Sequence, residues 1–346
     1  MMKRKVTMKE IAKKLNISIS AVSLALNNKP GINEELRKEI ISLCEKLGYD
    51  LRKIQSKAQD GGYIGFLSIS EFLMSGEIFY TKMLHEVQEE AEKKNYHIII
   101  NSQSKEEINN YAMPHFFQKQ IKGIIIAGYM NSDYIRKLLK KNIPTVLLGY
   151  DIVEPPVNCV EADNLFGAFI AVNYLIQKGH KKIGLIGGIP HHQSPLVRMQ
   201  GYKMALSQAN IPLDPNLIID NLPMSGNKFG YDAAMEILKR CKGNVDAFFC
   251  VTDHYATGCI KAIQDFGSNV PEDISVMGFD NMDWVEHLTP PLTTMNIPTL
   301  DMGRAGIKRL LELIEAREKN IEEKPIKIIL PVKLIERASV IDAKKL

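Results

Sequence analysis

Residues 7–28 read TMKEIAKKLNISISAVSLALNN. Two short helical patterns follow one another across Asn16-Ile17. In the first, Thr7 and Glu10 stand at capping-box spacing, where each side chain bonds the other residue's backbone N–H. Met8, Ile11, Ala12 and Leu15 then fall on one face. In the second, Ser18 is the cap and Val22, Ala25 and Leu26 share a face. Asn27-Asn28-Lys29-Pro30-Gly31 reads as a loop. Asn33 caps a third pattern, with Leu36, Ile40, Leu43 and Leu47 on one side and Gly48 as its stop. Two short helices across a tight turn, closed by a third, predict a helix-turn-helix unit. Such a unit places its second helix in a major groove, N-terminal end first. Here that helix turns outward Ile19, Ser20, Ser23 and Leu24, small hydroxyls for phosphates and base edges and apolar groups for thymine methyls. The alternative is a small helical bundle that only docks on the rest of the chain.

Charge separates the same region from everything after it. Residues 1–60 hold 13 Lys/Arg against 7 Asp/Glu, a net of +6; the other 286 residues hold 31 against 33, a net of −2. Residues 1–30 alone carry 7 against 1, so the whole excess lies there. A basic end on a near-neutral body points to a polyanion, nucleic acid or a membrane surface. Lys3, Arg4, Lys5, Lys9, Lys13 and Lys14 are placed to meet backbone phosphates. The alternative is a solvated basic helix face.

From Ile64 onward short apolar runs alternate with amphipathic stretches. Strands are predicted at Ile64–Ile69, His97–Ile100, Gly123–Ile126 and Thr145–Leu148. A second series follows at Lys182–Ile186, Leu217–Ile219, Ala247–Val251 and Ile274–Gly278. Helices are predicted between them, among them Ile78–Lys94, Phe166–Gln177, Leu196–Ala209, Gly230–Leu238 and Tyr255–Phe266. This is βαβ repetition, hence parallel sheets with helices on both faces. Two series predict two lobes and a cleft between them at the carboxyl ends of the strands.

With 346 residues, 45% hydrophobic and 24% charged, the chain is long enough for two or three domains and excludes a disordered or fibrous protein. No apolar run approaches 18 residues and the N-terminus lacks a signal-like core, so a cytoplasmic chain with no membrane partner is expected. Cys44, Cys159, Cys241, Cys250 and Cys259 are scattered without a CxxC pair, which argues against disulfides and a zinc site. No GxGxxG follows a strand, and GxxxxGK[ST], GxSxG and HExxH are absent. The expectation is no catalytic residue, no metal and no cofactor. His191-His192 is expected at a loop surface.

The stretch VTMKEIAKKLNISISAVSLALNNKPGINEELRKEIISLCEKLGY resembles the headpiece of the lactose-repressor/galactose-repressor (LacI/GalR) family. The resemblance continues through EADNLFGAFIAVNYLIQKGHKKIGLIGG, SPLVRMQGYKMAL, VTDHYATGCIKAI, VPEDISVMGFDN and PPLTTMNIPTLDMGRAGIKRLLELI, in family order and over nearly the full chain. It implies an all-α helix-turn-helix headpiece at 1–49, a linker at 50–62, and a periplasmic-binding-protein-like α/β core at 63–346. That core is two doubly wound parallel-sheet lobes joined by three crossovers, the first 63–161 with 292–320, the second 162–291 with 321–346.

The same resemblance assigns residues. Ile19 and Ser20 match the positions that read bases most directly. Leu24 stands where the family often has Arg. Thr7, Ser23 and Asn27 match backbone-contacting positions, beside the cap Ser18. The linker departs from the family: Pro-Asn is missing after LGY, and Ala58 falls where a Leu wedges into the minor groove. In the core, Arg198 matches the arginine that forks onto ligand hydroxyls or a carboxylate. Ser194, Asp163 and Asp280 match cleft positions. Thr252-Asp253 matches a pair usually read Asn-Asp, and Phe79-Tyr80 matches an aromatic pair that packs on a sugar or base face. The implied protein is a homodimeric regulator of a double-stranded palindromic operator, controlled by a sugar-like effector. The rivals are a solute-binding protein of the same core, an α/β enzyme, and a regulator whose co-effector is a protein.

Overall fold

The computed structural model describes residues 6–26, 31–47, 49, 61–70, 78–152, 154–188, 190, 192–222 and 226–343. The chain divides into two compact units, 1–62 with 92–97, and 63–91 with 98–346.

The first unit contains α1 (Met8–Leu15), α2 (Ile19–Leu26) and α3 (Glu34–Leu47). Its starts are written locally. Glu10 N donates to Thr7 Oγ1 at 3.4 Å and Thr7 N donates to Glu10 Oε2 at 2.9 Å, a complete capping box. Asn16 ends α1 at φ 54°, a left-handed conformation that Asn tolerates. Ser18 Oγ accepts from Ala21 N at 3.0 Å and Asn33 Oδ1 from Leu36 N at 2.8 Å. Ile11, Ala12, Val22, Ala25, Leu26, Ile40 and Cys44 form the core. A unit this small has little apolar surface to bury, so caps of about 1 kcal/mol each matter.

The second unit holds two sheets. β1 (Gly62–Ile69) begins the larger, followed by α4 (Ile78–Glu92), β2 (Tyr96–Gln103), α5 (Lys105–Asn109), β3 (Ile121–Ala127), α6 (Ser132–Leu139), β4 (Thr145–Leu148) and β5 (Asn158–Ala162). The chain then crosses to α7 (Asn164–Gln177), β6 (Ile183–Ile186), α8 (Gln193–Gln208), β7 (Ile218–Ile219), α9 (Asn227–Arg240), β8 (Ala247–Cys250), α10 (Asp253–Asp265) and β9 (Ser275–Met277). β10 (Thr294–Asn296), α11 (Thr299–Glu318), β11 (Lys327–Leu330) and β12 (Lys333–Ile335) complete it. The first sheet has the order β11-β5-β4-β3-β1-β2 and the second β7-β6-β8-β9. The pairs β1–β3, β3–β4, β4–β5, β11–β5, β6–β7, β6–β8 and β8–β9 are all parallel.

The doubly wound expectation holds, but the lobe limits need correction. Residues 321–346 do not all join the second lobe: Lys327–Leu330 pairs with β5 in the first sheet. Residues 292–320 do not all join the first: Thr293 bridges Met277, and Thr294–Asn296 pairs with Lys333–Ile335 beside the second sheet. The strands of the return crossings are short, and their partners lie far away in sequence. Helix packing is set by close approaches. On α9 and α10, a Cβ at Gly258 would stand 1.9 Å from Asn227 O, and one at Gly230 2.3 Å from Tyr255 O, so only glycine fits.

The strand order reverses between β1 and β3 in one sheet and between β6 and β8 in the other. Ligands bind at such reversals, outside the carboxyl ends of the strands. The residues just after β3, β6 and β8 therefore define where to look. Among the described residues no helix is long and apolar enough to cross a membrane.

Candidate functional site

The first candidate is the outer face of α2. Val22, Ala25 and Leu26 are buried, while Ser18, Ile19 and Ser20 are exposed and Ser23 and Leu24 half-buried. Ile19, at 49% exposure, has no packing reason to stand in water. Thr7 is exposed and serves α1 as its cap, and Lys9, Lys13 and Lys14 are exposed beside it. Leu24 lies at ordinary contact distance from the position a Cβ on Gly31 would take, 3.4 Å. Asn27, Lys3, Arg4, Lys5 and residues 50–60 of the linker, with Ala58, lie outside the described residues.

The second candidate is built around Arg198 on α8, 5% exposed. Its Nε donates to Asn164 Oδ1 at 2.8 Å; Nη1 donates to Val251 O at 2.6 Å and to Asp280 Oδ1 at 2.9 Å. Its guanidinium carbon lies 3.9 Å from the centre of the Phe279 ring, a cation–π arrangement. The residues brought together come from 164, 198, 251 and 279–280, four separate parts of the chain.

Asp280 sits at φ 128° and Asn281 at φ 59°, two successive left-handed residues without glycine. Such strain persists only when the surroundings over-determine it. Asn281 Nδ2 donates to Asn296 Oδ1 at 2.9 Å, and Arg337 Nη2 donates to Asn281 Oδ1 at 2.8 Å. Asp253 holds the far end: its Oδ2 accepts from Met282 N at 2.8 Å, its Oδ1 meets Thr294 Oγ1 at 2.6 Å, and its own N–H donates to Phe279 O at 2.8 Å. A Cβ on Gly278 would lie 2.4 Å from Asp253 Oδ1, so glycine admits the carboxylate here. Asp253 is 0% exposed, and burial, then the charge of Asp280, pushes its carboxyl up to about 7. Burial also raises Asp280, against the pull of Arg198. Two neighbouring carboxylates, of which only Asp280 is paired with Arg198, favour keeping one proton between them.

The other predicted residues divide. Ser194 Oγ donates to Gly149 O at 3.3 Å, a bond from the second lobe to the first. Phe79 and Tyr80 stand edge to face, centroids 5.0 Å apart, with Tyr80 buried near Gly149. Asp163 accepts from Phe166 N at 3.0 Å as the cap of α7, and Thr252 accepts from Tyr255 N at 3.3 Å as the cap of α10. Both hydrogen bonds belong to helix starts, and the carboxylate of Asp253 faces the 278–282 turn.

Several residues escaped the sequence reading. Asn164 holds Arg198, and its place in EADN beside Asp163 was the available signal. Lys82 on α4 pairs across the lobes with Asp283. Tyr129, just after β3, lies 5.3 Å from the His192 ring and 6.4 Å from Tyr150. His191 lies outside the described residues; His192 is half-buried, with its Nδ1 shut from water and unpartnered, as is the Tyr150 hydroxyl. Burial, then the Arg198 charge, pushes His192 down to about 4, so the ring is neutral at pH 7. Trp284 is half-buried, 5.2 Å from the His254 ring. Phe79, Lys82, Asp280, Met282 and Asn296 line a cavity of about 70 Å³ at the edge of this cleft. His85, Glu86 and Glu89 approach one another on α4, but Glu86 already accepts from Arg304 at 2.8 Å.

A three-helix unit with an exposed reading face, followed by a two-lobed core with a polar cleft, defines a ligand-responsive DNA-binding regulator. The description "Bacterial regulatory proteins, lacI family" matches residues 7–50, and "Periplasmic binding protein-like domain" matches 172–340. The chain is similar to the probable HTH-type transcriptional repressor ExuR of Bacillus subtilis, 32% identical over 323 residues, covering 92% of this chain and 94% of that one. The chain belongs to the LacI family, and it is a DNA-binding transcriptional regulator. Among solved structures, a LacI-family regulator from Enterococcus faecium with bound ribose is 26% identical, with a TM-score of 0.68 over 81% of this chain and 99% of that one. The lac repressor dimer bound to operator shares the fold at 21% identity, with a TM-score of 0.70 over 98% and 100%.

Proposed function

We propose that this chain is a transcriptional repressor that works as a two-fold dimer on a palindromic operator in the cytoplasm. A sugar or sugar derivative enters the interlobe cleft and shifts the balance between lobe arrangements. The ligand is held and released, not turned over. Ile19 and Ser20 read bases, with Leu24 at the edge of the reading face. Arg198 and Asp280, with Ser194, Phe79 and Tyr80 nearby, form the effector site, while Asp163, Thr252 and Asp253 shape the elements that present them.

The observation that carries this reading is the Arg198–Asp280 pair of the second lobe, beside the Phe279 ring, with Asp280 opening on the cavity that Phe79 and Lys82 of the first lobe also line. A buried donor and a partly exposed acceptor carboxylate suit a ligand whose hydroxyls both donate and accept. Coupling to DNA requires that the ligand prefer one lobe arrangement over the other. Ribose in the Enterococcus faecium relative, and the dimer of the lac repressor on its operator, support the ligand class and the assembly.

The test is selection of random duplexes with the full-length chain, followed by a thermal-shift screen of neutral, acidic and phosphorylated sugars. A two-fold palindrome whose affinity changes when a stabilising sugar is added supports the reading. No enriched duplex, with or without every stabilising compound, overturns it. Consumption of the bound sugar would favour an enzyme.

A further inference from the structure

Arg37 on α3 belongs to no group of residues assigned above. It is 8% exposed in a core that is otherwise apolar. Its Nη1 donates to Leu24 O at 3.4 Å and to Ala25 O at 3.3 Å, and its Nε donates to Glu34 Oε1 at 3.1 Å. Leu24 and Ala25 lie in the last turn of α2, which ends at Leu26. The last four carbonyls of a helix have no partner within it. A guanidinium there answers two of them and sits at the negative end of the helix dipole. α2 has no basic residue of its own in that turn.

α2 is therefore anchored at its start by Ser18 and at its end by a residue of another helix. Its other core contacts, through Val22, Ala25 and Leu26, are apolar and non-directional. Eight residues are too few for a helix to hold itself. Rolling it on its apolar stripe would move Ile19, Ser20, Ser23 and Leu24 together. The directional bonds from Arg37, both made by its Nη1, oppose that roll.

We propose that Arg37 is a positioning residue for sequence reading: it fixes the orientation of α2 through the carbonyls of its last turn and contacts neither base nor phosphate. The inference rests on α2 being the helix that reads DNA.

The test uses the full-length chain, Arg37→Met, which keeps an apolar stem, and Arg37→Lys. Affinities are measured for the duplex selected by the unaltered chain and for a random duplex, over a range of salt, at a temperature where far-ultraviolet dichroism shows both variants folded. Arg37→Met is expected to lose about tenfold to a hundredfold on the selected duplex, the scale of one mismatched base pair. The random duplex is expected to change less than about threefold, with the salt slope unchanged, since no phosphate contact is removed. Arg37→Lys recovers part of the loss. Equal losses on both duplexes, no loss, or a slope smaller by about 1 would overturn the proposal, the last by revealing a phosphate contact. Amide exchange gives an arm independent of any duplex. The last-turn amides of α2 are expected to lose protection in Arg37→Met before those around Ile11 and Ile40; uniform loss overturns the role. If the unaltered chain selects no duplex, the DNA-reading assignment fails, and exchange still decides whether Arg37 holds α2.

Discussion

The outer face of α2 and the interlobe cleft handle polarity in opposite ways. On α2 the recognition side chains stand in water, and the polar atoms that need partners are held behind them, by Ser18 and Arg37. In the cleft the proposed recognition groups are mostly shut from water and bonded to one another: Arg198 has Asn164, Val251 O and Asp280, and Asp253 has Thr294 and Met282 N. The first surface suits a partner that brings its own ordered edge, such as a duplex groove. The second suits a small ligand that must insert its hydroxyls into a network already complete. Changes on α2 should therefore alter specificity and leave the fold alone, while changes in the cleft should alter both.

The sharpest test of that contrast is Arg198→Met. It leaves the mostly covered Asp280 carboxylate, 14% exposed, without its cation, and removing one partner of such a pair costs about 3 kcal/mol, the low end of the fully buried range. Denaturant unfolding should show a loss of this order. Adding Asp280→Asn should return much of it, because the stranded charge is gone. Both variants should lose the response to the stabilising sugar and keep operator affinity while folded. An Arg198→Met protein as stable as the parent would show that the network is not closed and would break the comparison.

Asp253 extends the argument to pH. Its carboxyl is raised to about 7, facing Asp280 and Arg198, with His254 acting on Asp280. An acid raised on folding binds protons that the unfolded chain has released, so its contribution makes stability fall as pH rises from about 4 through 7. Asp253→Asn is near in shape: its carbonyl can accept from Met282 N and its amide can donate to Thr294. Thermal unfolding at pH 5.5 and 8 should show the parent losing on the order of 5 °C more than the variant over that interval. An equal slope in the two proteins would place the buried proton elsewhere.

On α2 the expected outcome is reversed. Exchanging Ile19 and Ser20 for Val and Asn should move unfolding by no more than about 0.5 kcal/mol. Duplex selection should nevertheless return a changed palindrome, with about 1–3 kcal/mol of discrimination per altered base pair. A large loss of stability would show that these side chains support the fold, and would remove the difference between the two regions.

The same contrast governs how much could be read from the sequence. The headpiece was legible almost to the residue, because Thr7, Glu10, Ser18 and Asn33 cap helices within three residues of themselves. The central strands were legible because their apolar runs are unbroken. β5 was not: Asn158 and Glu161 interrupt NCVEA, and both are buried with partners far away, Arg309 on α11 and Lys327 on β11. In the cleft, resemblance singled out Arg198 and Asp280 as candidates, but not that they meet. Asp163 and Thr252 follow the helix-capping rule visible in their own neighbourhood. Tyr129 and His192 meet only once β3 and β6 lie in different sheets facing one cleft.

The smallest effect belongs to Lys82 and Asp283, a charged pair joining α4 to the 278–283 turn. Both side chains are partly exposed, 36% and 52%, so the pair contributes no more than about 1 kcal/mol. Small does not mean silent. Asp283 lies three residues from Asp280, so the turn carries the carboxylate proposed for the ligand and an interlobe contact on one strained segment. Lys82→Gln should leave unfolding within about 0.5 kcal/mol of the parent. It should also favour the open arrangement, so that the radius of gyration without ligand rises and the sugar midpoint moves up to about fivefold, the ratio that 1 kcal/mol supports. Restoring the attraction with Lys82→Glu and Asp283→Lys together should return the midpoint toward its original value. If each single change and the exchanged pair give the same midpoint as the parent, closure is set by the Arg198 network alone.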